Sequence, residues 1–204
     1  MEAVLLLDQR RSRSSEDRVE HWVSRLNRSC ATLLTLPFER TAGDEMQGVT
    51  SSPAALVRIL VDAVEDGGWW VGVGIGSIER PLGRTSRESR GPAFWLAREA
   101  LEKAKSQRAG RAFALRGEPP VDTANLSACL HALGFIIVRR TKRQSEVAQC
   151  AREGLSVAEI ANRSSVTPQA IRRLLLASGA EEEWELGGFA VEIASSALEC
   201  TAKS

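Results

Sequence analysis

Residues 69–76, Trp69-Trp70-Val71-Gly72-Val73-Gly74-Ile75-Gly76, alternate large side chains with glycine from Val71 onward. A period of two predicts a β-strand, because successive side chains of a strand point to opposite faces of its sheet. The glycines would leave one face of this strand bare, which suits either close packing of a neighbouring element or a ligand lying on the sheet. The order of the surrounding elements decides which fold this strand belongs to.

The elements on both sides of this strand predict an α+β domain. Apolar periodicity and turn residues predict strand, helix, strand, strand, helix, strand, helix, strand over residues 3–7, 19–26, 32–38, 46–50, 53–66, 69–76, 93–106 and 111–115. The first six elements have the order of the ferredoxin-like split βαβ unit, in which the first strand is central and lies beside the hairpin. Residues 135–138 fit either a helix end or a strand.

An acidic turn lies at the tip of the predicted hairpin, in Gly43-Asp44-Glu45-Met46. Glycine tolerates a positive φ, which suits a tight turn. Asp8 ends the first strand and would lie near Asp44 and Glu45 in a ferredoxin-like sheet. Three carboxylates in one place predict a Mg²⁺ site, and the cation would hold a nucleotide triphosphate. An ordinary acidic hairpin turn is the alternative interpretation.

The end of the chain differs in charge, and we divide the chain into a sheet domain at 1–138 and a helical domain at 139–204. Residues 139–178 hold eight basic and three acidic side chains, whereas residues 179–204 hold one basic and six acidic side chains. The net charge of +1 therefore hides a basic segment followed by an acidic one. A basic segment provides most of the non-specific affinity of a protein for DNA.

The basic segment also carries the pattern of a helix-turn-helix. Residues 156–161 and 167–174 predict two helices joined by a short turn, with Thr167 as the cap of the second helix. Three side chains that hydrogen-bond to base edges or phosphates would share its outer face: Gln169, Arg172 and Arg173. Together with Thr167 they are the predicted DNA contacts. A three-helix module that binds a protein, or nothing, is the alternative.

Other features exclude several classes of protein. The four cysteines are far apart and form no C-x-x-C pair, so neither a disulfide framework nor a zinc site is expected. No run of about 18 apolar residues predicts a membrane span. The acidic, short apolar start does not have the pattern of a secretory signal, and we expect a cytoplasmic protein.

Several motifs together resemble the SatD family of bacterial proteins. They are Leu7-Asp8-Gln9-Arg10-Arg11-Ser12, Gly43-Asp44-Glu45-Met46-Gln47-Gly48, the strand at 71–76, Gly91-Pro92-Ala93-Phe94 with Ala97-Arg98-Glu99-Ala100, and the C-terminal helix-turn-helix. The resemblance runs nearly from end to end. It implies the order of the elements rather than a biochemical activity.

A more distant resemblance is to the palm-type nucleotidyl cyclases, including the GGDEF-type diguanylate cyclases. Residues 42–46 are similar to their signature turn, and residues 97–105 are similar to their last helix, whose terminal lysine contacts phosphates. The resemblance implies Asp8, Asp44 and Glu45 as metal-site residues, and it implies three nucleotide or phosphate contacts: Gly43, Lys105 and Arg111. Ala42 and Met46 depart from the signature, and two residues are inserted before Arg111.

Three functions are compatible with these patterns. The first is a DNA-binding transcriptional regulator, expected to be a homodimer, whose cyclase-like domain senses a nucleotide–Mg²⁺ complex. The second is a Mg²⁺-dependent nucleotidyl cyclase or transferase that carries a helix-turn-helix. The third is a palm domain without catalytic activity that serves as a dimerisation scaffold.

Overall fold

The computed structural model describes residues 1–107, 112–119 and 121–200. Arg111, a predicted phosphate contact, lies outside them. The described residues form five strands and eight α-helices, which are β1 (Glu2–Gln9), α1 (Val19–Ser29), β2 (Leu36–Arg40), β3 (Glu45–Thr50), α2 (Pro53–Asp66), β4 (Trp69–Gly76), α3 (Pro92–Ser106), β5 (Phe113–Gly117), α4 (Ala124–Val138), α5 (Lys142–Arg152), α6 (Val157–Ser164), α7 (Pro168–Ser178) and α8 (Ala180–Glu199).

The five strands form one mixed sheet in the order β2-β3-β1-β4-β5. β1 is central and runs antiparallel to both β3 and β4, whereas β5 runs parallel to β4. The predicted mixed α+β class and the central position of the first strand beside the hairpin are therefore confirmed. Residues 135–138, for which the sequence allowed two structures, form the last turn of α4.

The two faces of the sheet have different coverings. Alternate residues of β1 divide between them, since Leu5 and Leu7 enter the large core and Val4 and Leu6 enter a smaller one. The large core lies against α1, α2, α4 and α8, and it includes Val71, Val73 and Ile75 of β4 as well as Leu56, Ile59 and Leu60 of α2. The smaller core lies beneath α3, whose contributions are Ala93, Ala97 and Leu101.

The glycines of β4 lie directly beneath α3. A Cβ added at Gly72 would lie 2.3 Å from the carbonyl oxygen of Ala97, and one added at Gly74 would lie 2.1 Å from that of Ala93. Both distances are far below van der Waals contact, so only glycine allows the helix backbone to come this close to the strand. Of the two alternatives that the sequence left open for the bare face, close packing of a helix is the one observed.

The helices after α4 contribute to two different cores. α5, α6 and α7 enclose a small core of Val147, Ile160, Ala161 and Ile171. The second half of α8 instead enters the large core through Ala190, Ala194, Ala197 and Leu198. The division of the chain at 138 and 139 stays a prediction, and part of the predicted second domain packs on the first. Among the described residues, no helix has the length and apolar character that crossing a membrane requires.

We expect Gly74→Ala to lower the free energy of unfolding by at least about 3 kcal/mol, because α3 must move away from the sheet to admit the added carbon. Gly134→Ala is the matched control, since its added carbon would lie 3.5 Å from Val64, an ordinary contact, within α4. That control should be neutral or stabilise the protein by up to about 1 kcal/mol. Urea unfolding measures both; equal effects would contradict the close packing of α3.

Candidate functional site

One corner of the sheet brings the predicted acidic residues together. Asp8 pairs with Glu45 across β1 and β3, so their side chains lie on the same face. The backbone N–H of Gln9 donates to the carbonyl oxygen of Asp44 at 3.1 Å. Gly43, at the hairpin tip, has a φ of 56°. Glycine adopts this left-handed conformation without steric cost because it has no side chain. The positions of these residues agree with the sequence-based expectation; their function stays a prediction.

Two cations of α3 meet these acids. Lys105 Nζ donates to Asp8 Oδ2 at 2.8 Å, and Arg98 Nη1 donates to Glu45 Oε1 at 2.6 Å. Residues seven apart lie on one side of a helix, two turns from each other, so one face of α3 presents both cations. Lys105, predicted to contact phosphates, thus forms an ion pair with a predicted metal ligand.

The ion pair formed by Asp8 and Lys105 is partly buried, and the pKa values of both groups are shifted from their ordinary values. Burial raises the pKa of Asp8, the bond and charge of Lys105 lower it, and the carboxylates of Asp44 and Glu45 raise it again, with a net increase above 3.8. Burial lowers the pKa of Lys105, but the hydrogen bond and charge of Asp8 raise it to a net value above 10.5. Lys105 is therefore a positive charge at neutral pH.

The acidic corner does not fit a preformed metal site. Nowhere in the described ranges do three or more His, Cys, Asp or Glu side chains form a group that could hold a metal ion. The carboxylates of Asp8 and Glu45 instead face the ammonium of Lys105 and the guanidinium of Arg98. A cation there would compete with Lys105 and Arg98 for the carboxylates of Asp8 and Glu45. The Mg²⁺ site stays a prediction.

A cleft of about 440 Å³ opens beside the acidic corner. Asp8, Asp44 and Lys105 line it, together with residues to which the sequence analysis assigned no binding function, among them Arg10, Arg11 and Trp70. The three cations outnumber the two carboxylates, so the cleft favours an anion. The Arg10-Arg11 pair immediately after the first strand is the sequence feature that could have indicated a basic cleft here. Trp70 lies opposite Asp8 in the register of β1 and β4.

Two features of the cleft concern the positions of Arg10 and Arg11. The guanidinium of Arg10 lies over the Trp70 ring, 4.0 Å from its centroid, in a cation–π contact. Arg11 has φ 57° and ψ 30°, a left-handed conformation that is uncommon for a residue with a side chain. Such strained residues persist where the surrounding structure holds them and concentrate at functional sites.

The loop of the cleft is joined to the end of α2. The backbone N–H of Arg10 donates to the carbonyl oxygen of Gly68 at 2.8 Å, and its side chain donates to that of Gly67 at 3.2 Å. Gly67 is the C-terminal cap of α2. The cleft and the last turn of α2 are therefore in direct contact.

The last turns of α2 are joined in turn to the helices that follow α4. Arg152 of α5 pairs with Glu65 of α2 at 2.8 Å and with Glu183 of α8 at 2.7 Å. Arg140, whose side chain is 1% exposed, also pairs with Glu183 at 2.7 Å and donates to the carbonyl oxygen of Ser178 at 2.8 Å. Two of the eight basic residues counted in the basic segment are thus structural, because their charges face inward.

The segment predicted to contact DNA forms two helices, α6 and α7, joined by a short turn that contains one residue in the left-handed backbone conformation. Ser165, which ends α6, has φ 53° and ψ 40°. The Thr167 hydroxyl accepts from the N–H of Ala170 at 3.3 Å and caps α7. Ile171 points into the small core. The predicted DNA contacts are all exposed: Thr167, Gln169, Arg172 and Arg173.

These observations define an α+β protein with a charged cleft at one corner of its sheet and a separate cluster of helices with an exposed basic face. The SatD family model matches residues 7–181, and the chain belongs to the SatD family. Comparison with curated proteins and with solved structures gave no match.

We expect Lys105→Met to raise the pKa of Asp8 further above 3.8, because the substitution removes the hydrogen bond and charge that oppose burial. The folded variant would then hold the Asp8 proton at pH values where the unfolded chain has released it. Its stability should therefore fall as the pH rises from 3.8 through the raised pKa of the folded state.

Carboxyl carbon NMR of Asp8 measures this pKa, and urea unfolding across pH measures the stability. Lys103→Met is the matched control, since Lys103 is exposed on the same helix. An Asp8 pKa that is unchanged in Lys105→Met would show that the two side chains do not form an ion pair in solution.

Proposed function

We propose that this protein is a DNA-binding transcriptional regulator, in which α6 and α7 form a helix-turn-helix and α7 enters the major groove. The exposed outer face of α7, with Gln169, Arg172 and Arg173, is the observation that carries the proposal. Gln and Arg make bidentate hydrogen bonds with adenine and guanine edges, respectively. Because Ile171 anchors the opposite face of α7, this outer face is free to meet a partner.

The distribution of charge around α7 supports this proposal. Six of the eight cations of the basic segment are exposed, namely Arg139, Lys142, Arg143, Arg163, Arg172 and Arg173. Arg143 extends from α5 to the end of α6, where it donates to the carbonyl oxygen of Ser164 at 3.5 Å. Neutralisation of phosphates by such side chains releases counterions and drives association with DNA.

The turn between α6 and α7 is short, and its backbone conformation is energetically unfavourable at one residue. Ser165 adopts the left-handed conformation that glycine accepts freely, and a residue with a side chain is destabilised there by about 1–2 kcal/mol. The turn persists because Ile160, Ala161 and Ile171 hold the two helices against the same core. Rigid crossing of α6 and α7 is what a reading helix requires for a fixed position in the groove.

For the sheet domain we propose a ferredoxin-like, cyclase-related fold that binds a nucleotide. The strand order and directions of β1 to β4 agree with that fold. Arg10, Arg11 and Lys105 would hold the phosphates as charge-assisted donors. Gly43 would let the ligand approach the hairpin backbone, and Asp44 would accept hydrogen bonds from ligand hydroxyl groups. Lys105 would exchange part of its contact with Asp8 for a phosphate.

The ion pairs in the cleft favour a sensor over an enzyme. A two-metal nucleotidyl cyclase needs Asp8 and Asp44 as ligands of its cations, but Asp8 already bonds to Lys105. A sensor needs only a ligand whose affinity differs between two arrangements of the protein. The contacts from Arg10 to the end of α2, and from Glu65 to Arg152 of α5, form a continuous connection over which such a difference would reach α7.

The test of DNA binding is a titration of the full chain with labelled duplex DNA of mixed sequence at several salt concentrations. We expect log K to fall linearly with log salt concentration, and we expect Arg173→Ala to reduce that slope by about 1, because on DNA of mixed sequence one phosphate contact is lost. Fluorescence anisotropy measures the binding. Arg116→Ala, at an exposed arginine of β5, is the matched control and should leave the slope unchanged.

Either of two results would refute the DNA reader. The first is no binding at low salt, where electrostatic attraction is strongest. The second is an Arg173→Ala variant that has the same slope and affinity as the Arg116→Ala control.

A further inference from the structure

The acidic corner already holds two positive charges, and both belong to side chains of α3. Lys105 Nζ bonds to Asp8 Oδ2 at 2.8 Å, and Arg98 Nη1 bonds to Glu45 Oε1 at 2.6 Å. Mg²⁺ at a nucleotide site is held by one or two carboxylates together with phosphate oxygens, and it neutralises the charge of both. At two of the three predicted metal ligands, a lysine or an arginine therefore already supplies the positive charge that a metal would bring.

The other two cations of the cleft have no acidic partner. Arg10 and Arg11 line the cleft beside Lys105, and neither forms an ion pair with a carboxylate in the ranges that the structure describes. Arg10 uses one nitrogen for the carbonyl oxygen of Gly67 and stacks on Trp70, which leaves other N–H donors of its guanidinium unused. Two like charges in adjacent residues repel each other, and an anion bound by both offsets that repulsion.

The charges that line the cleft match a ligand with a single phosphate group. Three side-chain cations face two carboxylates there, Asp8 and Asp44, so the lining has a net charge of +1. One phosphate monoester carries about −1.5 to −2 at pH 7. A triphosphate carries a larger negative charge, which proteins that transfer phosphoryl groups neutralise with Mg²⁺. The side chains of the cleft can therefore neutralise most of the charge of one phosphate group but not that of three.

We propose that the cleft binds a nucleotide with a single phosphate group as the free anion, and that Lys105, Arg10 and Arg11 take the place of a divalent cation. This inference rests on the proposed function, because it names the ligand of the same site. The ammonium of Lys105 has three N–H donors, so it can bond to the phosphate while it keeps a bond to Asp8. The negative charge of Asp8 then repels the phosphate, whereas in a metal site the same charge would favour binding.

Isothermal titration calorimetry of the full chain tests this inference. The probes are the four ribonucleoside 5′-monophosphates, the corresponding triphosphates and inorganic phosphate, each in EDTA and in MgCl₂. We expect a monophosphate to bind in EDTA, with a dissociation constant within about twofold of its value in MgCl₂, and we expect no triphosphate to bind more tightly in EDTA. Inorganic phosphate should bind at least about tenfold more weakly, because it lacks the base and the ribose.

Asp8→Asn distinguishes the free anion from a metal complex by the direction of its effect. We expect this variant to bind the monophosphate at least about threefold more tightly in EDTA, because the amide still accepts from Lys105 but no longer repels the phosphate. Glu99→Gln is the matched control, since it removes the same charge from an exposed position of α3 outside the cleft and should leave the affinity unchanged.

Lys105→Met is a second variant and should weaken binding in EDTA at least about tenfold, because it removes a charge-assisted hydrogen bond to the phosphate. A metal site predicts the opposite, since this variant frees the Asp8 carboxylate for the cation. Thermal unfolding verifies that all three variants are folded.

A nucleotide that binds only in MgCl₂, or an Asp8→Asn variant that loses binding, would overturn the inference while the proposed nucleotide site is retained with a metal as its cation. A triphosphate that binds more tightly than every monophosphate in EDTA would overturn the single phosphate group. Inorganic phosphate that binds as tightly as the nucleotides would overturn the nucleotide as the ligand. The absence of binding by every nucleotide under both conditions would refute the nucleotide site of the proposed function itself.

Discussion

The contact of α3 with the glycine face of β4 determines where the charged groups of this protein lie. Gly72 and Gly74 allow the helix backbone to rest on the strand, where any side chain would collide with carbonyl oxygens of α3. At this distance Lys105 reaches Asp8, and Arg98 reaches Glu45. A helix held farther from the sheet would leave these carboxylates facing water and would open the side of the cleft that Lys105 now closes.

Ionic contacts join this corner of the sheet to the helices at the end of the chain. Arg152 is central to them, because it meets carboxylates of both α2 and α8. Charges removed from water are costly unless they are paired, so separation of α5 from α2 and α8 would leave partly buried carboxylates without their partner. Since α5 and α7 share one small core, these pairs connect α2 to the helix that we propose as the DNA reader. Regulation of DNA binding by a ligand in the cleft requires a connection of this kind.

Much of the fold could be predicted from local patterns in the sequence. Alternation with glycine predicted β4, and the Gly43 turn with its positive φ followed from the need for a residue without a side chain. The proximity of Asp8 and Glu45 followed from the strand order. The ion-pair partners of these acids could not be predicted. Lys105 is far from Asp8 in sequence, and the distance between the two side chains depends on how closely α3 packs on the sheet. The end of α4 was ambiguous for a similar reason, since burial of Ile137 in the core settles it.

The charge pattern was informative only in part. Counting residues predicted a basic surface but did not distinguish exposed arginines from Arg140, which is enclosed by Glu183 and backbone carbonyl groups. The Arg10–Trp70 contact was also missed, because it joins two strand ends that only the folded sheet brings together. Contacts between distant segments decide the function of a charged residue, and composition does not reveal them.

The affinity for duplex DNA with and without a bound nucleotide tests the central claim, which is that the cleft and α7 are coupled. The nucleotide used should be the one that raises the unfolding temperature most in a screen. We expect the nucleotide to change the DNA dissociation constant by about fivefold or more, and we expect DNA to change the nucleotide dissociation constant by the same factor. A nucleotide that binds while the DNA affinity stays the same would contradict the coupling, and a screen in which no nucleotide binds would contradict the cleft as a nucleotide site.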